Sequence, residues 1–343
     1  MLKNPIISFC IPTYNRVGKV FELVSNILKH EGSDIEVLVL DNCSTDGTKV
    51  LLEKIQDSRF KFIQNEKNIG GIKNPYKALS LAKGDFCFLC LDKDYVNPKY
   101  INELVAKLTV DNDVVFGHCE LDNKKNSSDI VYDKGFQSIL NMSYLSAHPS
   151  GMFYKKDIFI KSDILKDIFN SDKIFGFGFE LINAEMSLKG KSLQIGLPVF
   201  TVESREECAN TASYTYKNAN DVFFSPKGRF NEFYTYTKHL YGLDICLNEK
   251  RIILKKLLRQ GLMSATFGYR DIMKDISICS HYHLKSLNIS SIELIKIYWN
   301  FTFSFFISDL PISLLNRILL FFSVNLRLFY SLFGNKISSN YGK

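Results

Sequence analysis

The sequence lacks an apolar segment long enough to cross a bilayer. Its longest uncharged apolar stretches, 297–308 and 318–326, are shorter than a transmembrane helix, which needs roughly 20 residues. The amino-terminal segment also lacks the apolar run and the small-residue cleavage site of a secretory signal peptide. We therefore expect no transmembrane helix and predict a protein of the bacterial cytoplasm.

Metal and phosphate motifs of the common kinds are missing too. Cys87 and Cys90 form a C-x-x-C pair inside the apolar run DFCFLCL, but no second Cys/His pair follows at zinc spacing. The G-x-G-x-x-G of dinucleotide folds is absent, and Glu185 stands where a P-loop ending in Gly190-Lys191-Ser192 needs glycine. A zinc site, a dinucleotide site and a P-loop are therefore not expected.

Surplus positive charge is confined to the last third of the chain. Residues 238–343 contain 14 Lys or Arg and 6 Asp or Glu, whereas the first 237 contain 29 and 30. The segment EKRIILKKLLRQGLM (249–263) interleaves lysines and arginines with Ile and Leu, a pattern that suits either an anionic bilayer surface or an ordinary packed helix with a solvated face. We predict a catalytic domain over 1–235 and a basic amphipathic helical domain over 236–343 that associates with a membrane surface. No nucleic-acid partner is expected, because no recognisable nucleic-acid module accompanies the charge.

Strand and helix patterns alternate from the start of the chain. Near-continuous apolar runs separated by helical segments predict a mostly parallel sheet covered on both faces, which is an α/β fold. Asn74-Pro75 and Asn97-Pro98 combine an N-cap residue with a proline at the first helical position and predict helix starts, and Gly84 is expected to follow the first of these helices. The predicted strands are 5–11, 35–41, 60–63, 85–91, 113–118, 150–154 and 199–203, and the predicted helices include 17–30, 45–56, 155–169 and 179–189.

Polar residues follow three of these strands at the point where each strand ends. Pro12-Thr13-Tyr14-Asn15 follows the first, Asp41-Asn42 the second and Asp92-Lys93-Asp94 the fourth. Since the carboxyl ends of parallel strands meet at one edge, where ligands bind, these segments predict one site. Asp92 and Asp94 can meet the same hard cation, Mg²⁺ or Mn²⁺, together with substrate phosphates. Each segment also suits a strand-to-helix turn without any site.

Four segments carry a resemblance to a known family. ISFCIPTYNR, LDNCSTDGT, NEKNIGGIKN and FLCLDKD, in this order, resemble family 2 glycosyltransferases with the GT-A fold. The resemblance is close over residues 6–110 and looser to about residue 205. Within the family, the sequence is similar to transferases of O-antigen and capsule synthesis. It implies a nucleotide-sugar donor, a divalent metal and transfer of a single sugar. The absence of a Q-x-x-R-W segment argues against a processive polysaccharide synthase.

The resemblance also implies roles for individual residues. Asp41 matches the aspartate that reads the base, Lys73 lies where it can contact phosphate, and Asp94 is the expected metal ligand with Asp92. Because Asn42 and Tyr95 stand where the family often has further aspartates, the number of metal ligands stays open. The donor-binding positions are Pro12, Thr13, Tyr14, Asn15, Asp41, Asn68, Gly70, Gly71, Lys73 and Asp92.

An inverting transferase needs a base that deprotonates the acceptor hydroxyl. The family places an acidic motif at the start of a helix, and FGFGFELINAEMSLKG matches that position with Glu180. Because Phe179-Glu180 replaces the usual Glu-Asp pair, Asp172 and Glu185 remain alternatives, as does a plain helix-surface glutamate. His148 matches a segment that lines the acceptor side.

We therefore predict a metal-dependent, inverting, non-processive glycosyltransferase. Its acceptor is expected to be a polyprenyl- or otherwise lipid-linked saccharide, met at the cytoplasmic face of the inner membrane in O-antigen, capsule or lipooligosaccharide synthesis. One alternative is a sugar nucleotidyltransferase, which needs a glycine-rich basic loop that IPTYNR does not provide. The other is a non-catalytic membrane-bound assembly factor with a degenerate transferase domain.

Overall fold

The chain folds into two compact units, 1–203 and 204–343. The structure is a computed structural model, and it describes residues 5–121, 128–144, 148–170, 178–203 and 222–333. The first unit is α/β and the second, over its described residues, is helical.

The described strands of the first unit form one sheet. Its order is β3-β2-β1-β4-β8-β6-β9-β5, and β7 pairs with β9. The strands are β1 (Ile7–Thr13), β2 (Ile35–Asp41), β3 (Phe60–Gln64), β4 (Phe86–Leu89), β5 (Tyr95–Val96), β6 (Val114–Leu121), β7 (Ile130–Tyr132), β8 (Met152–Lys155) and β9 (Lys191–Thr201).

The strand directions bring the segments predicted to form the site to one edge of the sheet. β3, β2, β1 and β4 are parallel, with Thr13 opposite Asp41 where β1 and β2 end. β8 runs antiparallel to β4 and β6, and β9 is parallel to β6. The carboxyl ends of β1, β2, β4, β6 and β9 and the amino end of β8 therefore share one edge. The predicted α/β fold with a mostly parallel sheet is confirmed.

Helices cover both faces of this sheet. Alternate residues of β1 enter separate hydrophobic clusters, Phe9 on one face and Cys10 on the other. On the first face the ring of Phe88 stacks on Phe153 at 4.8 Å, and burying a side chain of this size stabilises the fold by about 1.5–3 kcal/mol. The helices are α1 (Val17–Ile27), α2 (Thr48–Leu52), α3 (Lys73–Leu81), α4 (Ile101–Val110), α5 (Phe136–Met142), α6 (Lys156–Phe159), α7 (Asp163–Asn170) and α8 (Gly178–Ser187).

Local differences from the predicted helix ends have a tertiary cause. α3 includes Asn74 rather than being capped by it, because the buried Asn74 amide donates to the carbonyl of Leu40 at 3.1 Å. Gly84 lies beyond the end of α3, where a Cβ would stand 2.7 Å from the backbone nitrogen of Ser8. The close approach of residue 84 to the backbone of β1 therefore explains this glycine. The start at Asn97 is confirmed, since its side chain accepts from the Lys99 N–H at 3.3 Å.

The second unit is built from helices, as predicted for the carboxyl-terminal region. No helix among its described residues, or among those of the first unit, is long and apolar enough to span a membrane. The predicted domain boundary at 235 lies inside α9, the first helix among the described residues of this unit. Its helices are α9 (Pro226–Gly242), α10 (Leu247–Met263), α11 (Tyr269–Lys274), α12 (Ile276–His281), α13 (Ser291–Ile307) and α14 (Leu314–Phe333), with a π-helical turn at Ser264–Gly268.

Candidate active site

Asp92 joins the ends of β1 and β4. Thr13 donates its hydroxyl to one carboxylate oxygen at 2.8 Å, and the Arg16 guanidinium donates to the other at 2.7 Å. The side chain of Asp92 is only 3% exposed. Burial raises the pKa of this carboxyl, and the nearby Asp94 adds to the increase, whereas Arg16 and Thr13 oppose it. Arg16 had no predicted role, although it ends the motif IPTYNR.

Asp94 is held by two segments that are distant in the chain. The Ser150 hydroxyl donates to one carboxylate oxygen, and the backbone N–H of Glu203 donates to the other at 3.1 Å. Its side chain is 1% exposed. The loop before β8 and the end of β9 thus orient the carboxylate that the sequence assigns to a metal. Neither Ser150 nor Glu203 was predicted for this role.

His148 lies beside the Asp94 carboxylate, with which it forms an ion pair only when the imidazole is protonated. Its Nδ1 is 3.7 Å from the Asp94 oxygen and accepts the backbone N–H of Ser150 at 3.3 Å. Burial lowers the pKa of His148, and Lys93 lowers it further, while Asp94 acts in the opposite direction. Burial and Lys93 thus favour the neutral imidazole, whereas Asp94 favours the charged form.

The donor set at this edge suits a hard divalent cation in part. Asp92 and Asp94 offer carboxylate oxygens, but no three His, Cys, Asp or Glu side chains within the described ranges are grouped to hold a metal by themselves. Mg²⁺ is commonly bound by one or two carboxylates and completed by substrate phosphates. Because each carboxylate oxygen has a second lone pair, the hydrogen bonds above leave acceptor capacity for such an ion.

The end of β1 presents an aromatic ring next to a fixed turn. Pro12 and Thr13 are buried, whereas Tyr14 is 43% exposed. Asn15 adopts a left-handed φ of 53°. Its backbone N–H donates to the Ser44 hydroxyl, and its side-chain oxygen accepts the Thr45 N–H, each at 2.8 Å. The two loops that follow β1 and β2 therefore hold each other in place.

Asp41 is fully buried and bound to protein groups. Its carboxylate accepts the Ser44 N–H at 3.1 and 3.2 Å, the Ser44 hydroxyl, and the Gln64 amide at 2.7 Å. The same carboxylate that the sequence assigns to base recognition thus shapes the turn after β2. It orients Ser44 and Gln64 at the sheet edge.

An asparagine cluster, comprising Asn42, Asn65, Asn68 and Asn74, anchors the loop 68–71. Asn42 donates to the Asn68 side chain at 2.8 Å and accepts the Ile69 N–H at 2.9 Å. The Asn65 amide bridges Asn42 at 3.1 Å and Asn74 at 2.8 Å. The loop predicted to cover the nucleotide is therefore tied to the end of β2 and to α3. Sequence reasoning missed Asn65, because a lone asparagine after a strand carries no distinctive signal.

Positions 70 to 73 lead from this loop into α3. Gly70 has a left-handed φ of 88°, and its N–H donates to the Asn68 side chain at 2.8 Å. Gly71 is exposed. The Lys73 ammonium donates to the Phe169 carbonyl at 3.4 Å, near the end of α7. The amino end of α3 thus carries a cation at the same edge of the sheet.

Glu180 is the third residue of α8 and is 9% exposed. α8 leads through a short turn into the amino end of β9, so its own amino end points toward the site edge. Phe179 supports this placement, because its ring lies 4.3 Å from that of Tyr76 in the first turn of α3. The buried Tyr154 feels the Glu180 charge, which adds to burial in raising the pKa of that phenol.

The alternatives to Glu180 have different surroundings. Glu185 accepts the Ser162 hydroxyl and, at 3.4 Å, the Ile164 N–H. These contacts make it a cap for the amino end of α7, and burial raises the pKa of its carboxyl. Asp172 lies outside the described residues.

Comparison with known proteins agrees with this architecture. The sequence model of glycosyl transferase family 2 matches residues 8–169. Abequosyltransferase RfbV of Salmonella typhimurium is 40% identical over 89 residues, which cover 24% of this chain and 27% of the relative. A Campylobacter jejuni protein, GalNAc(5)-diNAcBac-PP-undecaprenol beta-1,3-glucosyltransferase, is 28% identical over 174 residues, covering 49% of this chain and 56% of the relative.

A solved structure is similar over most of the chain. TarS 1-349 of S. aureus, crystallised with UDP-GlcNAc, has a TM-score of 0.51 and 17% identity, and the match covers 87% of this chain and 91% of that one. At this identity the likeness concerns the fold, and it agrees with the GT-A prediction.

Proposed function

We propose that this chain, whose residues 8–169 belong to glycosyl transferase family 2, transfers one sugar from a nucleotide-sugar donor to a saccharide acceptor. The observation that carries the proposal is the pair of buried carboxylates, Asp92 and Asp94, held where β1 and β4 end. Such a pair is suited to a substrate with a diphosphate, since phosphate oxygens and carboxylates share hard cations. Bacterial polysaccharide synthesis, including that of O-antigen, is the proposed context.

The donor nucleotide is proposed to bind between three loops. The exposed ring of Tyr14 offers a surface for the base, and the turn fixed by Asp41 presents polar groups beside it. The loop 68–71, which the asparagine cluster holds in place, is proposed to cover the nucleotide. Lys73 supplies positive charge near the phosphates. Because these parts are fixed before binding, little conformational entropy is lost on ordering them.

Asp92 and Asp94 are the proposed ligands of a divalent cation, Mg²⁺ or Mn²⁺. When bound, the ion neutralises the negative charge that develops on the departing diphosphate. Ser150 and the Glu203 N–H keep the Asp94 carboxylate in one orientation. Arg16 and Thr13 do the same for Asp92, and Arg16 also compensates its buried charge.

Glu180 is the proposed base. The acceptor hydroxyl forms a bond to the anomeric carbon as the bond from that carbon to the diphosphate breaks, and the hydroxyl proton passes to the Glu180 carboxylate. Attack opposite the leaving group inverts the anomeric configuration. Transfer of a single sugar is proposed, and a positioned base contributes typically about 10²–10⁴-fold to the rate.

The acceptor is proposed to be a lipid-linked saccharide. The name of the C. jejuni relative contains an undecaprenol-linked saccharide, and this chain covers 56% of that protein. A polyprenyl-linked acceptor stays at the bilayer, so the enzyme is proposed to act as a peripheral protein on the cytoplasmic face of the inner membrane.

A thermal-shift panel tests the donor site. UDP-, GDP-, CDP- and dTDP-sugars are each added to the full chain with Mn²⁺ or with EDTA. A ligand that binds the native state raises the melting temperature, so we expect one nucleotide class to do so with Mn²⁺ and to lose most of the effect with EDTA. Asp94→Asn should abolish the shift, whereas the control Asp113→Asn, on an exposed side chain near Lys191, should retain it.

Two outcomes would contradict the proposal. A chain that binds no nucleotide sugar fits the non-catalytic assembly factor instead. Release of pyrophosphate from a nucleoside triphosphate and a sugar phosphate would indicate a nucleotidyltransferase.

A further inference from the structure

α13 has apolar side chains on two opposite sides. One side packs into the second unit through residues that include Leu294, Tyr298 and Phe305. The opposite side is exposed to solvent at positions whose spacing places them along one face of the helix. These residues are Ile292 (69% exposed), Trp299 (49%), Phe303 (64%) and Ile307 (66%).

α14 repeats this arrangement. Arg317, Leu320 and Val324 are buried on one side. The other side, over the turns where side chains are described, exposes five large apolar residues and no charged one. They are Leu314 (64% exposed), Leu315 (67%), Ile318 (37%), Leu319 (58%) and Phe322 (60%). We call the exposed sets on α13 and α14 the apolar stripes.

The two helices that carry the stripes are joined by a buried arginine. Arg317 of α14 donates to backbone carbonyls at and beyond the carboxyl end of α13, which is the negative end of that helix. The rings of Phe306 and Phe321 lie 5.8 Å apart between the same helices. The two stripes are therefore borne by one packed pair. The carbonyls that accept from Arg317 belong to Phe305, Phe306, Ser308, Leu310 and Ile312.

Positive charge lies beside the stripes. Arg251, Lys255 and Arg259 are exposed on α10 at a spacing of four residues, which places them on one face. Arg251 donates to the Asn316 side chain of α14 at 3.3 Å, so this basic row begins next to the α14 stripe. Lys296 is exposed within the α13 stripe.

We infer that the apolar stripes insert into the headgroup region of an anionic bilayer, with the α10 row facing lipid phosphates. Clustered exposed apolar residues mark an interaction surface, and apolar helix faces flanked by lysine and arginine suit an anionic membrane. If a second copy of the chain covered this surface in a two-fold symmetric contact, the basic rows of the two copies would lie close together and repel each other. An anionic lipid surface instead compensates their charge. This membrane-binding surface has no part in the transfer reaction itself. It also extends beyond the basic segment 249–263, because the residues that insert into the bilayer lie on α13 and α14.

The single tryptophan of the chain reports directly on the α13 stripe. The sequence contains one Trp, which is Trp299. Fluorescence is recorded on the full chain with phosphatidylcholine vesicles, with and without phosphatidylglycerol, in the absence of nucleotide sugar. We expect a blue shift with the anionic vesicles only, quenching by lipids brominated on their acyl chains, and weaker binding at high salt.

Substitutions separate insertion from charge attraction. The double variant Phe303→Glu/Leu319→Glu should reduce vesicle binding by about tenfold or more, whereas Val110→Glu, at an 84% exposed position of the first unit, should leave it unchanged. Replacing Arg251, Lys255 and Arg259 with Gln should weaken binding and reduce its dependence on salt.

Two results would overturn the inference. One is a Trp299 emission spectrum that anionic vesicles leave unchanged. The other is a blue shift without lipid that grows with protein concentration, which would assign the stripes to a second copy of the chain. Since donor and acceptor are absent from the measurement, neither result depends on the proposed transfer reaction.

Discussion

The guanidinium of Arg16 donates to the carboxylate of Asp92 at 2.7 Å, across a separation of 76 residues in the sequence. This ion pair closes the gap between the loop after β1 and the end of β4. Because the Asp92 side chain is nearly inaccessible to water, the nearby cation favours its ionised form against the effect of burial. The ion pair therefore limits the increase in the pKa of Asp92 that burial causes, without reversing it.

Loss of the Arg16 guanidinium should lower the stability of the fold only while residue 92 is a carboxylate that can ionise. Arg16→Met leaves a buried carboxylate without its partner, so we expect the free energy of unfolding of the first unit to fall by about 2–3 kcal/mol. In an Asp92→Asn background the same substitution should cost less than about 1 kcal/mol. Urea unfolding of the four proteins measures the coupling, and additive effects would show that the pair does not stabilise the fold.

Asp94 should be required for turnover, and Ser150 should matter through Asp94. Asp94→Asn is expected to lower kcat/KM by about 10²–10³-fold or more, with circular dichroism and melting temperature close to wild type. Ser150→Ala removes a hydroxyl that orients the carboxylate, and such changes typically cost about 10–100-fold in metal affinity or activity. Titration of Mn²⁺ dependence should therefore show a higher metal requirement in Ser150→Ala. An unchanged requirement would mean that Ser150 has no part in positioning Asp94.

The proposed base, Glu180, and its neighbour Glu185 in α8 can be distinguished by parallel variants. Glu180→Gln should retain donor binding and lose about 10²–10⁴-fold in turnover. Glu185→Gln should retain turnover and lose about 1 kcal/mol of stability, since Glu185 accepts from Ser162 and Ile164 at the start of α7. Single-turnover kinetics and thermal unfolding measure the two effects. Normal turnover in Glu180→Gln, with loss in Asp172→Asn or Glu185→Gln, would move the base to that residue.

Asn42 should control donor affinity. Asn42→Ala removes the side chain that anchors Asn68 and the Ile69 N–H, and unsatisfied buried groups cost about 1–3 kcal/mol. We expect the donor KM to rise by about 5–100-fold, with kcat changing much less. Calorimetry with the nucleoside diphosphate should show the same loss of affinity. A fall in kcat with an unchanged KM would contradict the assignment of this cluster to nucleotide binding.

His239 of α9 should make the second unit sensitive to acid. Burial lowers the pKa of His239 from its ordinary 6.5 to about 4. Between these two values the unfolded chain binds the proton and the folded chain does not, so stability is present above pH 6.5 and falls as pH decreases toward 4. The loss amounts to at most about 3 kcal/mol.

The variant His239→Gln isolates this contribution from other acid-sensitive groups. The melting temperature of the variant minus that of wild type should be more negative at pH 7 than at pH 4. Acid destabilises only the wild-type chain through His239, because the variant has no imidazole to protonate. A difference that stays constant over this range would show that His239 titrates normally.

Much of the α/β organisation is visible in local sequence. The apolar run 35–41 coincides with β2, and the Asn97-Pro98 start is present as predicted. The start of α3 was less accessible to prediction, because a long-range hydrogen bond from the Asn74 side chain to the Leu40 carbonyl overrides the capping preference of this asparagine. Gly84 looked like a helix end, yet its small size serves the packing against Ser8.

The sequence by itself determined the strand and helix pattern, the family resemblance and the residue types that follow β1, β2 and β4. These properties depend on periodicity and on short motifs, which are local. Only the tertiary structure decided the partners of those residues. Asp94 is bound by Ser150 and by the Glu203 N–H, 56 and 109 residues away. Such contacts depend on strand order and register, which no short motif encodes. The apolar stripes were decided in the same way, because packing buried one side of α13 and α14 and left the other apolar side exposed.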